Sequence, residues 1–428
     1  MAYHPRENWD PRTGRRTYTR RDFIQRVAAL GIVIPGVSTL LAACGDGSEG
    51  ASGANGVAIG TPDDPVTQPM VGEAIASGLE PESGTLQIYN WADYLNPDLL
   101  PRFTDETGIA LQVTPYYNEE EGIQKLAAGE GAFDVWFPVA STVGKAVAGE
   151  LIQPLNHDYI PNLSNVWTNL RDPFYDQGSA YTAPYAIYHT GIGWRTDMVD
   201  SEDIEGIDNP WDVFWNDKYA GITGLYDDYR ETLKLAMFRA GIDDPDSAGQ
   251  DELEAAADSL IELVDLMNIR YTIDGAYSGI PEGRFGLHHA WSGDMVAVPW
   301  YYPEDDDPSV SRYLWPARAS NPANAQIAND TMAVVAGAQH PVAAHMFINW
   351  MLDNDNALEN FGWVGYQPPL TALDPESLVE DEWVPDYLES AIVREEDFDN
   401  PMGNVPVQLD ADREEAWLDT WSRVQGTA

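Results

Sequence analysis

Four short clusters in the chain set carboxylates beside aromatic rings. The first is Trp91, Asp93 and Tyr94, within Asn90-Trp91-Ala92-Asp93-Tyr94. The second is Asp227-Asp228-Tyr229-Arg230-Glu231, where Asp228 and Glu231 are three apart and can point one way across a first helical turn. The third is Trp291-Ser292-Gly293-Asp294, and the fourth couples Asp330 with Tyr366 of a Phe-Gly-Trp-Val-Gly-Tyr-Gln-Pro-Pro loop. Acids beside aromatic walls suit an organic cation. Ammonium groups taken out of water need carboxylate partners, and indole or phenol faces cover methylenes while adding cation–π attraction of ~0.5–2 kcal/mol each. The same residues also have an ordinary structural reading. Trp91 and Tyr94 fit a packed loop, Asp228 fits a helix cap, and Arg230 fits an ion pair that consumes Asp228 or Glu231. Both readings stay open at this level.

Other chemistries have less to stand on. Asp228, Glu231, Asp294 and Asp330 could supply an acid/base pair for glycoside hydrolysis. Against that, the chain has no G-x-S-x-G nucleophile motif, no metal triad and no phosphate-binding glycine loop. His288-His289 falls inside a strand pattern with no evident third ligand, and Glu304–Asp307 reads as a solvated loop. No cofactor and no metal is expected.

These clusters need strand ends to hold them. Leu86–Tyr89 reads as a strand, and Leu99, Leu100 and Phe103 then recur at helical spacing until Gly108. Strand Ala110–Thr114 precedes a helix over Glu119–Ala128, and strand Phe133–Phe137 precedes a helix from about Ser141. This βαβαβ series predicts an α/β fold with a mostly parallel sheet, whose strand mouths hold ligands. Later come strands Ile222–Tyr226, Phe285–Trp291 and Asp330–Val335, with helices Glu231–Ala240, Asp251–Met267, Pro341–Leu352 and Asp412–Val424. Asp330 is thereby expected at the start of its strand.

The totals narrow the setting. The chain has 428 residues, 44% of them hydrophobic, and a net charge of −47 with only four lysines. Excess acid on an ordinary apolar fraction points to life in concentrated salt, because such a chain repels itself when unscreened. A nucleic-acid partner is disfavoured for want of a basic patch. The single cysteine, Cys44, excludes an intrachain disulfide.

Thr19-Arg20-Arg21-Asp22-Phe23-Ile24-Gln25 reads as a twin-arginine export signal, followed by an interrupted apolar run from Val27 to Ala43. Leu41-Ala42-Ala43-Cys44-Gly45 resembles a lipobox in which Cys44 is lipidated. The other reading is a buried helix with a core thiol. On the export reading, residues 1–43 are a signal peptide, residues 44–84 a flexible Gly-, Ser- and Pro-rich tether, and the mature protein sits lipid-anchored on the outer face of the membrane.

Along most of its length from Leu86 the chain resembles the periplasmic spermidine/putrescine-binding proteins, the solute-binding components of polyamine ABC importers. The resemblance rests on YNWADYLNPDLLPRFTDETGI, the D-D-x-R-E, W-x-G-D and G-Y-x-x-P motifs, and Asp330, in order over about 280 residues. It implies a two-lobed periplasmic-binding-protein fold of type II character, with residues 85–187 and 328–372 in one lobe and 188–327 and 373–428 in the other. It further implies a monomer that passes a polyamine to an ABC permease and ATPase and contacts it through Trp91, Asp93, Tyr94, Ser141, Asp228, Glu231, Trp291, Asp294, Asp330 and Tyr366. Two departures stand out. Pro138-Val139-Ala140-Ser141 replaces the family's P-S or P-S-x-Y, which displaces the serine. Ala328-Asn329 precedes Asp330 where spermidine binders carry a second stacking aromatic. Another organic cation, a small peptide, a sensor role and a carbohydrate-active enzyme remain as alternatives.

Overall fold

The computed structural model describes residues 57–129 and 131–426. The twin-arginine segment, the lipobox with Cys44 and the first part of the expected tether lie outside the described residues. Ten strands form one curled sheet: β1 (Thr85–Trp91), β2 (Ala110–Tyr116), β3 (Val135–Trp136), β4 (Thr182–Arg195), β5 (Thr223–Tyr226), β6 (Arg270–Thr272), β7 (Leu287–Trp291), β8 (Ser311–Leu314), β9 (Ala325–Val334) and β10 (Gly403–Asn404). Their order is β2-β1-β3-β9-β4-β7-β5-β6, with β8 also on β4 and β10 also on β9.

The long strand β4 joins two lobes. Its residues Thr182–His189 pair with β9, and Thr190–Arg195 pair with β7 and β8. All of β4 except Arg195 is buried, as a strand covered on both faces must be. In the first lobe, Leu86 and Ile88 of β1 pack with Phe103 of helix Leu99–Thr107 and with Phe347 of helix Pro341–Met351. The first of these helices stops at Gly108, whose φ of 77° suits a residue without a side chain and whose N–H closes on the Thr104 carbonyl. In the second lobe, helices Tyr229–Arg239, Gln250–Met267 and Ala411–Gln425 pack together.

Three expectations need correction. The sheet is not mostly parallel. Parallel pairing is confined to β1 with β2 and β3, β5 with β6 and β7, and β10 with β9; every pairing of β4, and that of β3 with β9, is antiparallel. The βαβ units build the outer parts of each lobe, while β4 and β9 run in opposite directions between them.

Asp330 lies inside β9, not at its start. The buried amides Gln326 and Asn329 interrupt the apolar pattern there. The nitrogen of each amide finds an internal acceptor: Gln326 donates to Glu231 at 2.7 Å and Asn329 to the Tyr175 hydroxyl at 2.7 Å.

Residues 57–84 are not a free tether but a strap laid on the first lobe. Val66 N–H donates to the Phe174 carbonyl at 2.8 Å, and buried Gln68 donates to the Tyr175 carbonyl at 2.8 Å. The Tyr181 hydroxyl meets the Pro69 carbonyl at 2.7 Å, and Glu82 accepts the Val342 and Ala343 N–H groups at the start of helix Pro341–Met351. A Gly- and Pro-rich composition also suits an irregular segment whose backbone groups are satisfied by the surface beneath it.

Candidate functional site

Asp330 is one of three buried acids of the predicted set, with Asp294 and Glu231. It sits on β9 opposite Ala186, where a bulge between Pro184 and Ala186 shifts the register of β4, and it bridges to Val139 on its other side. Its Oδ2 accepts from the Tyr94 hydroxyl at 2.7 Å. Its Oδ1 is buried and has no hydrogen-bond partner among the described residues. Burial pushes the Asp330 carboxyl up to about 7, against the pull of the Tyr94 and Tyr188 hydroxyls.

A chain of rings runs from Tyr94 into the second lobe. Tyr94 meets Tyr366 edge-on at 4.9 Å, Tyr366 meets Tyr188 at 5.7 Å, and Tyr188 meets Trp291 at 6.2 Å. The Trp291 indole then stacks on Tyr226 at 3.8 Å, with 19° between the planes. Such pairs add ~0.5–1.5 kcal/mol each beyond the area they bury, and they fix the rings in place. Asp294, in the first turn after β7, accepts from the Tyr226 and Tyr366 hydroxyls, each at 2.7 Å. It therefore ties the second-lobe strand β5 to the Tyr366 loop.

Glu231 holds the indole. Its Oε1 accepts from Trp291 Nε1 and from Gln326 Nε2, both at 2.7 Å. Burial and the charge of Asp228 push the Glu231 carboxyl up to about 7, opposed by the Trp291 bond. Asp228 takes the capping role that the sequence left open, accepting the Glu231 N–H at 2.9 Å. Arg230 does not consume either acid. It turns to the buried Asp246 at 2.5 Å and to the Val407 carbonyl at 2.8 Å.

The structure thus gathers Tyr94, Asp330, Tyr366, Asp294, Trp291, Glu231 and Asp228 into one bonded set. Trp91, the last residue of β1, and Asp93, on the loop after it, lie at its margin. The Trp91 indole donates to the Phe137 carbonyl at 3.1 Å and leans on Tyr116 at 4.7 Å. Asp93 has a φ of 55° and acts on Tyr277 of the second lobe. Ser141 lies in the short turn Ala140–Thr142 after β3 and is half-buried.

Sequence reasoning missed three residues. Tyr188 sits opposite Ala328 in the β4–β9 register and supplies a ring where the expected aromatic is absent. The signal was present, since Tyr188 is two residues from Ala186 and shares its face of β4. Glu119 and Glu120 open helix Glu119–Ala127, where acids are so ordinary that nothing marks them. Burial, then Glu120 and Asp330, raise the Glu119 carboxyl; burial, then Asp228 across the lobes, push Glu120 up to about 7. A concentration of carboxylates whose ionisation is opposed by burial, walled by rings, favours an organic polycation that supplies the missing positive charge. Among the described residues no group of acids, histidines and cysteines is arranged to hold a metal ion.

Comparison with known proteins agrees with this chemistry. The chain is 28% identical over 291 residues to the spermidine/putrescine-binding periplasmic protein of Escherichia coli, covering 67% of this chain and 78% of that one. It is 29% identical over 311 residues to the putrescine/cadaverine-binding protein of Pseudomonas aeruginosa, covering 72% and 84%. The solved spermidine/putrescine ABC transporter substrate-binding protein of Streptococcus pneumoniae superposes with a TM-score of 0.61 at 25% identity, over 81% of this chain and 99% of that one. A Treponema pallidum lipoprotein gives a TM-score of 0.65 at 20% identity over 80% and 99%, a likeness of fold. The model for the family described as bacterial extracellular solute-binding protein matches residues 98–386, and the chain belongs to that family.

Proposed function

We propose that this protein captures polyamines such as spermidine and putrescine outside the cell and delivers them to an ABC importer. The observation that carries the reading is the Asp330 carboxylate: buried, with Oδ1 unpartnered, and set among Tyr94, Tyr188, Trp291 and Tyr366. A buried anion in that setting is stabilised by a cationic donor, and the rings suit the methylenes between amino groups. The named ligands of the Escherichia coli and Pseudomonas aeruginosa relatives support the choice of cation. The twin-arginine segment and Cys44 support export in the folded state followed by lipid anchoring, with the protein acting as a monomer in concentrated salt. The ligand is returned chemically unchanged.

The test is calorimetry in molar potassium chloride against spermidine, putrescine, an amino-acid panel and a sugar panel, with recovered ligand checked by mass spectrometry. Saturable binding of the amines and their intact recovery is the expected result. Binding confined to sugars, or turnover of any bound compound, refutes the reading.

A further inference from the structure

We infer that Glu119 is a second carboxylate of the amine grip at Asp330, so that one ligand ammonium is held between two anions contributed by β9 and by helix Glu119–Ala127. This rests on the polyamine reading above and names a specificity-determining residue for it.

The geometry runs through Val139. That residue bridges to Asp330 in the antiparallel sense, and its N–H donates to Glu119 Oε1 at 3.4 Å. The two acids therefore meet on the same short piece of backbone. Each keeps one buried carboxylate oxygen, Glu119 Oε2 and Asp330 Oδ1, with no hydrogen-bond partner among the described residues. Asp330 itself is only 5% exposed. An acid that served only the helix N-terminus would lie in solvent, as exposed Glu121 does in the same turn. Glu119 instead bends inward, with the Thr142 hydroxyl beside it as well. Two carboxylates, Asp330 buried and Glu119 half-buried with its Oε2 enclosed, repel without a cation between them, so the pair favours a ligand with a compact positive charge and several N–H donors. A primary ammonium has three and can meet Glu119 Oε2, Asp330 Oδ1 and one further acceptor. A quaternary ammonium has none, and leaves both oxygens unsatisfied.

The groups facing Glu119 are Glu120 on its own helix, Asp330 on β9, Tyr116 at the end of β2, Tyr89 on β1 and Tyr188 on β4. All are acids or phenols, so the free protein favours a proton on this pair. Ammonium binding ionises the pair and releases that proton.

The experiment titrates putrescine into wild type and E119Q in molar potassium chloride, in two buffers of different ionisation enthalpy near neutral pH. Wild type is expected to release protons on binding. E119Q is expected to lose about 10-fold or more in affinity, with smaller proton release and an unchanged melting temperature without ligand. The bis-quaternary analogue, putrescine with three methyls on each nitrogen, is expected to bind wild type and E119Q alike and weakly. Equal putrescine affinity and equal proton release in the two proteins overturns the inference while leaving the polyamine reading intact. Wild type that binds no amine overturns both. Should E119Q fail to fold, Glu119→Asp serves: weaker binding with proton release retained supports the grip, and unchanged affinity overturns it.

Discussion

Tyr94, on the loop after β1, donates its hydroxyl proton to Oδ2 of Asp330, 236 residues later on β9, at 2.7 Å. The bond orients a buried carboxylate so that Oδ1 is left for another donor. Asp330→Asn keeps the shape and the Tyr94 bond but removes the charge. Truncating one side of a desolvated ion pair costs about 2–5 kcal/mol, roughly a 30- to 4,000-fold loss of polyamine affinity. Tyr94→Phe should cost less, because the charge remains. Calorimetry at fixed high salt compares the two, and a folded Asp330→Asn protein that binds like wild type shows the site to be elsewhere.

The pH dependence follows from three acids. Asp330, Glu231 and Glu120 each titrate near 7 in the folded protein, against ordinary values of 3.8 for the aspartate and 4.5 for the glutamates. A folded value raised above the unfolded one gives stability that is present at low pH and lost as pH rises through about 7. Buried His189, His288 and His289, whose values burial lowers, act in the opposite sense below about 6.5, so the acids show above it, and the ligand-free protein should melt at a lower temperature at pH 8 than at pH 6.5. A bound polyamine favours the ionised acids, so the stabilisation it gives should grow over the same window. Thermal melts in molar salt with and without spermidine check both trends. A flat ligand-free profile from pH 6.5 to 8 contradicts the first.

Much of this arrangement was legible in the sequence where local chemistry decides it. Trp291 ends a strand and Asp294 follows it because a strand-to-helix turn is a local event, and Asp228 sits where a capping residue must. What stayed hidden depends on pairing across the chain. The strand β9 begins at Ala325 and carries Gln326 and Asn329 inside, where their amide nitrogens donate to Glu231 and Tyr175, partners distant in sequence. Tyr188 becomes a wall only through its register with Ala328. Arg230 looked able to neutralise Asp228, and only the fold reveals Asp246 as its partner.

Lys145 of the first lobe reaches Glu414 of the second at 2.6 Å, and Glu414 also accepts from the Tyr229 hydroxyl at 2.5 Å. Beside it, the Lys145 N–H donates to the Gln408 side chain at 3.0 Å. These contacts span the gap next to the acids, so they should favour the closed lobes. The ion pair is partly exposed, which limits its worth. Lys145→Ala is expected to weaken polyamine binding by roughly two- to five-fold and to raise the radius of gyration of the ligand-free protein in X-ray scattering. An unchanged scattering profile and an unchanged affinity together argue against a latch.

Salt should divide the ion pairs into two kinds. The first 43 residues carry seven basic and three acidic groups, so a chain starting at Cys44 has 16 basic against 67 acidic residues, a net charge of −51. Such a chain should unfold as potassium chloride is lowered, because the Debye length grows from about 3 Å at 1 M to about 30 Å at 0.01 M. Exposed Lys218, paired with Asp200 at 2.5 Å and Asp203 at 2.8 Å, lies within reach of that screening. Lys218→Ala should leave high-salt stability unchanged. The Asp246 carboxylate is different. It is 1% exposed and holds both Arg230 at 2.5 Å and the equally buried Lys234 at 2.9 Å. Asp246→Ala strands two cations inside the second lobe and should cost about 3–5 kcal/mol. Ions in solution cannot screen a dry pair, so the loss should persist at every salt concentration at which the protein folds. Denaturant titrations at several potassium chloride concentrations measure both variants. If Asp246→Ala is rescued by added salt as the wild type is, the triad is solvated and the distinction between the two kinds of pair fails.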